Sequence, residues 1–214
     1  MNGKALSTLV VMAALSACSS TPSPPDWQMN ARGALDAFTN AYMTGNTRVE
    51  AAEFARARSA LAATGQPELV ARAELLRCAA QVASLVLQPC DGFEPLRQDA
   101  PAAERAYAAW LAGQAQPADA ALLPAAQRAV LSGGAEAVKG IADPLSRLVA
   151  AGVLMRMGRA TPEVLALAVD TASAQGWRRP LLAWLGVQAR LAEQAGQTGE
   201  AARIRRRMDL VGPR

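Results

Sequence analysis

The chain has 214 residues, a formal net charge of +4 and no histidine. Without histidine there are no imidazole general bases, no histidine-based triads and no HExxH zinc sites. Apolar residues make up 51% of the sequence but aromatic ones only 4%; alanine, the best helix former, dominates the apolar set, and the basic charge is mostly arginine spread along helical segments, which is not a nucleic-acid patch.

The front end reads LVVMAALSACSSTPSPPDW from Leu9 to Trp27. Lys4 supplies one early positive charge, and Ala5 to Leu15 is apolar except for Ser7 and Thr8. That run falls short of the roughly 20 apolar residues a membrane-spanning helix needs, and it leaves through the small residues Ser16 and Ala17. A charged start, an apolar middle and a small-residue exit make a cleavable secretory signal. The tetrad LSAC, Leu15 to Cys18, resembles the lipobox of bacterial lipoproteins. The resemblance implies a diacylglyceryl group on the Cys18 thiol, cleavage just before Cys18 and acylation of the new amino group. One acyl chain anchors only marginally; three hold permanently. Ser19, in place of an aspartate there, implies the outer membrane rather than retention at the inner one. The prolines of Ser19–Asp26 make a semi-extended spacer. The expected layout is a signal peptide over 1–17, a lipidated cysteine and proline-rich tether over 18–30, and one α-helical domain over 31–214.

Beyond the tether no stretch alternates over strand length, and helical spacing recurs instead. Leu35, Phe38 and Tyr42 predict a helix closed by Gly45-Asn46. Phe54, Ala57 and Leu61 predict a second, closed by Gly65. Pro67 opens a third that is apolar on nearly every side from Leu75 to Leu87, the mark of a buried central helix. With Cys18 acylated, Cys78 and Cys90 are the remaining thiols, too few for a four-cysteine zinc site and a disulfide candidate in an oxidising compartment. If the third helix runs to Leu87, Cys78 lies roughly 13 Å from its end, and three extended residues recover roughly 10 Å. The bridge therefore needs the chain to double back after Gln88-Pro89, or the helix to stop a turn early.

Past the loop QPCDGFEPL, Ala103, Tyr107, Trp110 and Leu111 form the next stripe, ended by Gly113. Pro117 to Leu131 reads as a helix that Pro124 must kink or split. SGGAEAVKG lacks the order of a phosphate loop and reads as a turn around a short helix. Asp143-Pro144 starts a helix ending at Gly158, and Thr161-Pro162-Glu163 one ending at Gly176. Pro180 starts another, ending at Gly196, and the last runs from about Thr198 to Leu210. Helix, glycine turn, helix, repeated with short links, predicts an all-α fold of antiparallel helical hairpins.

The C-terminal stretch from Leu182 to Pro213 resembles one tetratricopeptide repeat. Gly196 takes the turn glycine, Glu200-Ala201 the acid–alanine pair, Ala189 the small position of the first helix, Leu185 an apolar one and Pro213 the closing proline. Arg205 stands where the second helix normally has an aromatic residue, and Gln188 where it has leucine. The resemblance implies a tetratricopeptide-like α-solenoid or an irregular helical bundle.

Trp177-Arg178-Arg179 lies at a turn, either as a partner hot spot or as a tryptophan closing the core beside solvated arginines. Asp91 with Glu94, and Asp99 with Glu104, are the acid pairs available for acid–base work, but no catalytic motif supports them, and GxSxG and SxxK are missing. The sequence predicts a non-enzyme without metal or cofactor: a lipid-anchored adaptor on the periplasmic side of the outer membrane, binding envelope proteins. A carrier of a small apolar ligand or lipid is the alternative, and an envelope hydrolase the third reading.

Overall fold

The computed structural model describes residues 24–212. The signal peptide, Cys18 and the tether as far as residue 23 lie outside the described residues. The nine α-helices among the described residues are α1 (Asp26–Thr44), α2 (Thr47–Ala62), α3 (Pro67–Ala83), α4 (Ala102–Leu111), α5 (Ala125–Gly133), α6 (Pro144–Arg156), α7 (Pro162–Ala174), α8 (Arg178–Gln194) and α9 (Thr198–Val211). Three short 3-10 helices, Glu94–Leu96, Pro117–Leu122 and Gly134–Gly140, fill the longer links. These residues contain no strand, and the expected all-α fold is what the chain forms.

The helix ends follow elementary backbone chemistry. Asp143 caps α6 by accepting from Ser146 N at 2.7 Å, with Pro144 in the first turn, and Thr161 caps α7 through Val164 N. At the close of α1, Gly45 takes φ +81°, and the amides of Gly45 and Asn46 turn back onto the carbonyls of Tyr42 and Ala41. That is the Schellman arrangement, for which glycine is the natural residue. The same pair of bonds recurs at Gly113, Gly158, Gly176 and Gly196.

Three boundaries differ from expectation, and the Pro124 break falls where it was expected. α1 begins at Asp26, so residues 26–30 belong to the helix rather than the tether; Trp27 already packs on the core. Of the two outcomes expected at Pro124, kink or split, the chain takes the split: Pro117–Leu122 is a 3-10 turn and Pro124 is the N-cap of α5. α8 starts two residues before Pro180, whose missing amide is harmless in a first turn. α3 stops at Ala83 instead of running to Leu87. Leu85 adopts φ +59°, and the amides of Leu85 and Val86 bond Val82 and Gln81. A Schellman turn is thus built on leucine instead of glycine. The early stop turns the chain back and brings Cys90 to disulfide distance of Cys78, with the Cα atoms 5.8 Å apart. Phe93, fully buried, seats the loop beyond.

Consecutive helices pack as hairpins, α1 on α2, α6 on α7 and α8 on α9. α3 is the central helix expected: it touches α1, α2, α4 and α6. α1 also packs on α8, so the array closes on itself as a bundle around α3 and α6. Those two helices approach closely because Gly152 of α6 faces the backbone carbonyl of Val82; a Cβ on Gly152 would collide with that carbonyl. Trp184 of α8 is buried and donates its indole N–H to the carbonyl of Ala83 at 3.0 Å. On α4 the expected Trp110 and Leu111 are buried and Tyr107 is partly buried, but Ala103 is exposed, and Glu104, Ala106 and Ala108 are buried instead.

Gly152→Ala should destabilise the protein by about 2 kcal/mol, since the obstructing atom is backbone. Gly33→Ala, at an exposed site on α1 with nothing within 4 Å of the new Cβ, should stabilise by about 0.5–1 kcal/mol. Urea denaturation of the two variants checks both signs. Reduction of the Cys78–Cys90 pair, separated by 12 residues, should lower stability by about 2–3 kcal/mol, read by the same method with and without reductant.

Candidate functional site

A mainly apolar cleft of about 360 Å³ lies between α3, α4 and α6. α3 contributes Arg72, Leu75, Leu76 and Ala79, α4 contributes Ala103, Glu104 and Tyr107, and α6 contributes Leu145, Ser146 and Val149. Each set follows three- and four-residue spacing, so each is one face of its helix. Leu122 and Pro124, at the split that Pro124 enforces, complete the wall, and Leu122 remains 42% exposed at the rim.

Polar groups in the cleft are few. Glu104 is buried, at 8% exposure. Its Oε1 accepts from Arg72 Nε at 2.5 Å, and its Oε2 is buried with no hydrogen-bond partner. Glu104 is the third residue of α4, where a glutamate normally reaches back to the N-cap amide. The N-cap here is Pro101, which has no N–H to give. Tyr107 lies one turn further on; burial pushes the pKa of its hydroxyl well above the ordinary tyrosine range, with the Asp143 charge adding to the shift.

The expected Trp177-Arg178-Arg179 cluster is built into the body. Trp177, partly buried, is the N-cap residue of α8 and packs against the core. Arg178 donates from Nε to the carbonyl of Val211 at 3.0 Å, tying the start of α8 to the end of α9. Arg179 reaches α1 and α2: its guanidinium lies 4.0 Å from the Tyr42 ring centroid, 2.6 Å from Glu50 Oε2 and 3.3 Å from Thr47 Oγ1. Arg178 is exposed as well as bonded, whereas Arg179 is partly buried and held where α1 meets α8. Burial also raises the pKa of the Tyr42 hydroxyl, against the lowering effect of Arg179.

Of the acid pairs noted in the sequence, Glu94 is exposed and bonded to Arg97, which holds its carboxyl below the usual range, and Asp91 and Asp99 are exposed. Glu104 lines the cleft between α3, α4 and α6, and Glu94 lines a separate recess beside Cys90 and Arg97. The described residues contain no group of three or more metal-ligating side chains. Cys18 lies outside the described residues. In the last hairpin Leu185, Ala189 and Ala201 are buried, and Gly196 turns with φ +70°. Arg205 pairs with Glu193 across that hairpin, which accounts for a charge where an aromatic residue was expected. Sequence reasoning missed Arg72, Leu76, Leu145 and Val149 as neighbours, because the cleft joins three helices distant in the chain. The local signal that was available is a glutamate at the third helical position behind a proline N-cap.

Arg179→Ala should cost about 1–2 kcal/mol through loss of the cation–π contact and the half-buried ion pair; a variant as stable as the parent would show the clasp to be idle. Both raised tyrosine pKa values make the folded state hold its phenol protons longer than the unfolded chain. Their contribution is whole below about pH 10 and is lost as pH rises through the folded-state values. Stability should therefore fall between pH 8 and pH 11, and less steeply in the Tyr42→Phe/Tyr107→Phe double variant, as urea titrations at the two pH values would measure.

Compared with protein-family models, curated proteins and solved structures, the chain finds no match in any of the three.

Proposed function

We propose that the chain is a lipid-anchored helical adaptor of the bacterial outer membrane, facing the periplasm and binding envelope proteins, without chemistry of its own. The observation that carries this reading is the join between anchor and body. LSAC ends at Cys18, and α1 begins at Asp26 with Trp27 already packed on the core. The spacer Ser19–Pro25 extends at most about 25 Å, so the helical body stays close to the bilayer surface and its exposed helix faces look into the envelope. None of the described helices is long and apolar enough to cross a membrane, which fits a role for the acyl chains as the anchor.

The cleft between α3, α4 and α6 favours a second reading, a periplasmic carrier of a small apolar ligand. Its volume of about 360 Å³ is at the small end of ligand sites and suits a compact molecule better than a two-chain lipid.

Intact mass of the protein extracted from membranes tests the anchor: a triacylated chain starting at Cys18 is expected, and Cys18→Ser should move the protein to the soluble fraction. Crosslinking on intact cells, followed by purification, should then recover defined envelope proteins with the parent and lose them with Cys18→Ser. An unlipidated mass, or recovery of abundant porins alone, would contradict the adaptor reading.

A further inference from the structure

We infer that the outer face of the α8–α9 hairpin lies against the anionic headgroups of the bilayer that anchors the chain, with Arg206 and Arg207 set for lipid phosphates and Leu210 for the interface. The inference rests on the anchor reading above and gives the anchored body an orientation.

Basic residues occur along the whole chain, but their excess does not. Residues 178–211 carry seven arginines against three acidic residues, whereas residues 24–177 carry thirteen basic residues against fifteen acidic ones. The positive surplus of the body is therefore the surplus of its last hairpin. An anionic surface attracts that part and repels the remainder, which orients a tethered body.

Ion pairing and helix electrostatics do not use the surplus up. In α9, Arg203 is bonded to Glu200, and Arg205 reaches Glu193 of α8. Arg206 and Arg207, with Arg190 of α8, pair with no acid among the described residues. None of the α9 arginines lies in its last turn, where a cation would complement the helix dipole. Arg203, Arg206, Arg207 and Leu210 recur at three-, four- and seven-residue spacing and so share one face. Ala201 and Ile204, which are buried, take the opposite side. Leu210 is 80% exposed, the most exposed of the large apolar side chains among the described residues. A leucine held in water beside arginines gains by entering the headgroup region.

The placement suits the anchor. α8 packs on both α9 and α1, and α1 starts at Asp26, where the spacer ends. The Debye length is about 8 Å at physiological salt, so an attraction of this kind acts on a body that is already held at the surface.

The test uses the full chain as extracted from cells, with a nitroxide on Ala202→Cys, on the outer side of α9, or on Ala52→Cys of α2; both positions are exposed. Vesicles of phosphatidylethanolamine with phosphatidylglycerol are compared with vesicles of phosphatidylcholine alone. Flotation reads the anchor, and spin relaxation by lipid-dissolved oxygen against a water-soluble nickel chelate reads contact. On the anionic vesicles the label at 202 should meet lipid while the label at 52 stays in water. Each arginine near an anionic surface is worth about fivefold, so Arg206→Gln/Arg207→Gln should lower the ratio of contacting to free bodies about 25-fold. Arg206→Lys/Arg207→Lys keeps the charge and should keep the contact, which separates loss of charge from loss of fold. A label at 202 that stays in water on anionic vesicles, or that meets lipid equally on phosphatidylcholine, would overturn the inference and leave the anchor standing. Flotation with anionic vesicles alone, with the label at 202 in lipid, would overturn the anchor and keep the inference. Flotation with neither would overturn both.

Discussion

α3 ends inside the protein, and its last carbonyls have no next turn to bond. Each finds a different partner. Gln81 and Val82 take the amides of Val86 and Leu85 as the chain reverses. Ala83 takes the indole N–H of Trp184, which arrives from α8. The carbonyl of Val82 also lies against Gly152, where α6 comes close enough to exclude any side chain. One helix end therefore fixes the position of α6 and α8 and the direction of the loop that follows. The Cys78–Cys90 approach is a consequence of the same stop, since the longer helix would have carried the chain away from Cys78.

This constraint shapes what the bundle presents. With α8 drawn onto the end of α3, α1 can meet α8, and Arg179 clasps the contact by stacking on Tyr42 and pairing with Glu50. A chain of hairpins that would otherwise extend as an open array closes instead. The surface left for binding is then local: the apolar cleft along the middle of α3, and the exposed faces of the outer hairpins. Ala79 lines the cleft one residue after Cys78, so the wall of the cleft and the disulfide site belong to the same turn of helix. A recess held this way is preformed, which lowers the ordering cost of filling it.

Much of this was legible in the sequence because the local rules agree with the global fold. Glycines at the closes of α1, α4, α6, α7 and α8 take the left-handed conformation that marks a helix end, and prolines open α3, α6 and α7. The end of α3 was misplaced because a different residue does the job of glycine there: Leu85 adopts the left-handed turn, and a leucine reads as continued helix. Its own apolar packing against the core makes that conformation tolerable. The site was legible only in fragments. Tyr107 appeared as part of a stripe and Glu104 as an acid near a helix start, and nothing local linked them to Arg72 on α3 or Val149 on α6. Arg179 read as a partner contact or a solvated charge because its own partners lie on the first hairpin, more than a hundred residues earlier.

Native-state hydrogen exchange on the oxidised protein tests the central role of this helix end most directly. The amides of Leu85 and Val86 and the indole N–H of Trp184 should exchange only through global unfolding, at the same free energy as the slowest amides of α3 and α6. Exchange of these three groups through a local opening well below that value, while the α8–α9 hairpin stays protected, would show that the bundle holds together without the end of α3 and would contradict the account.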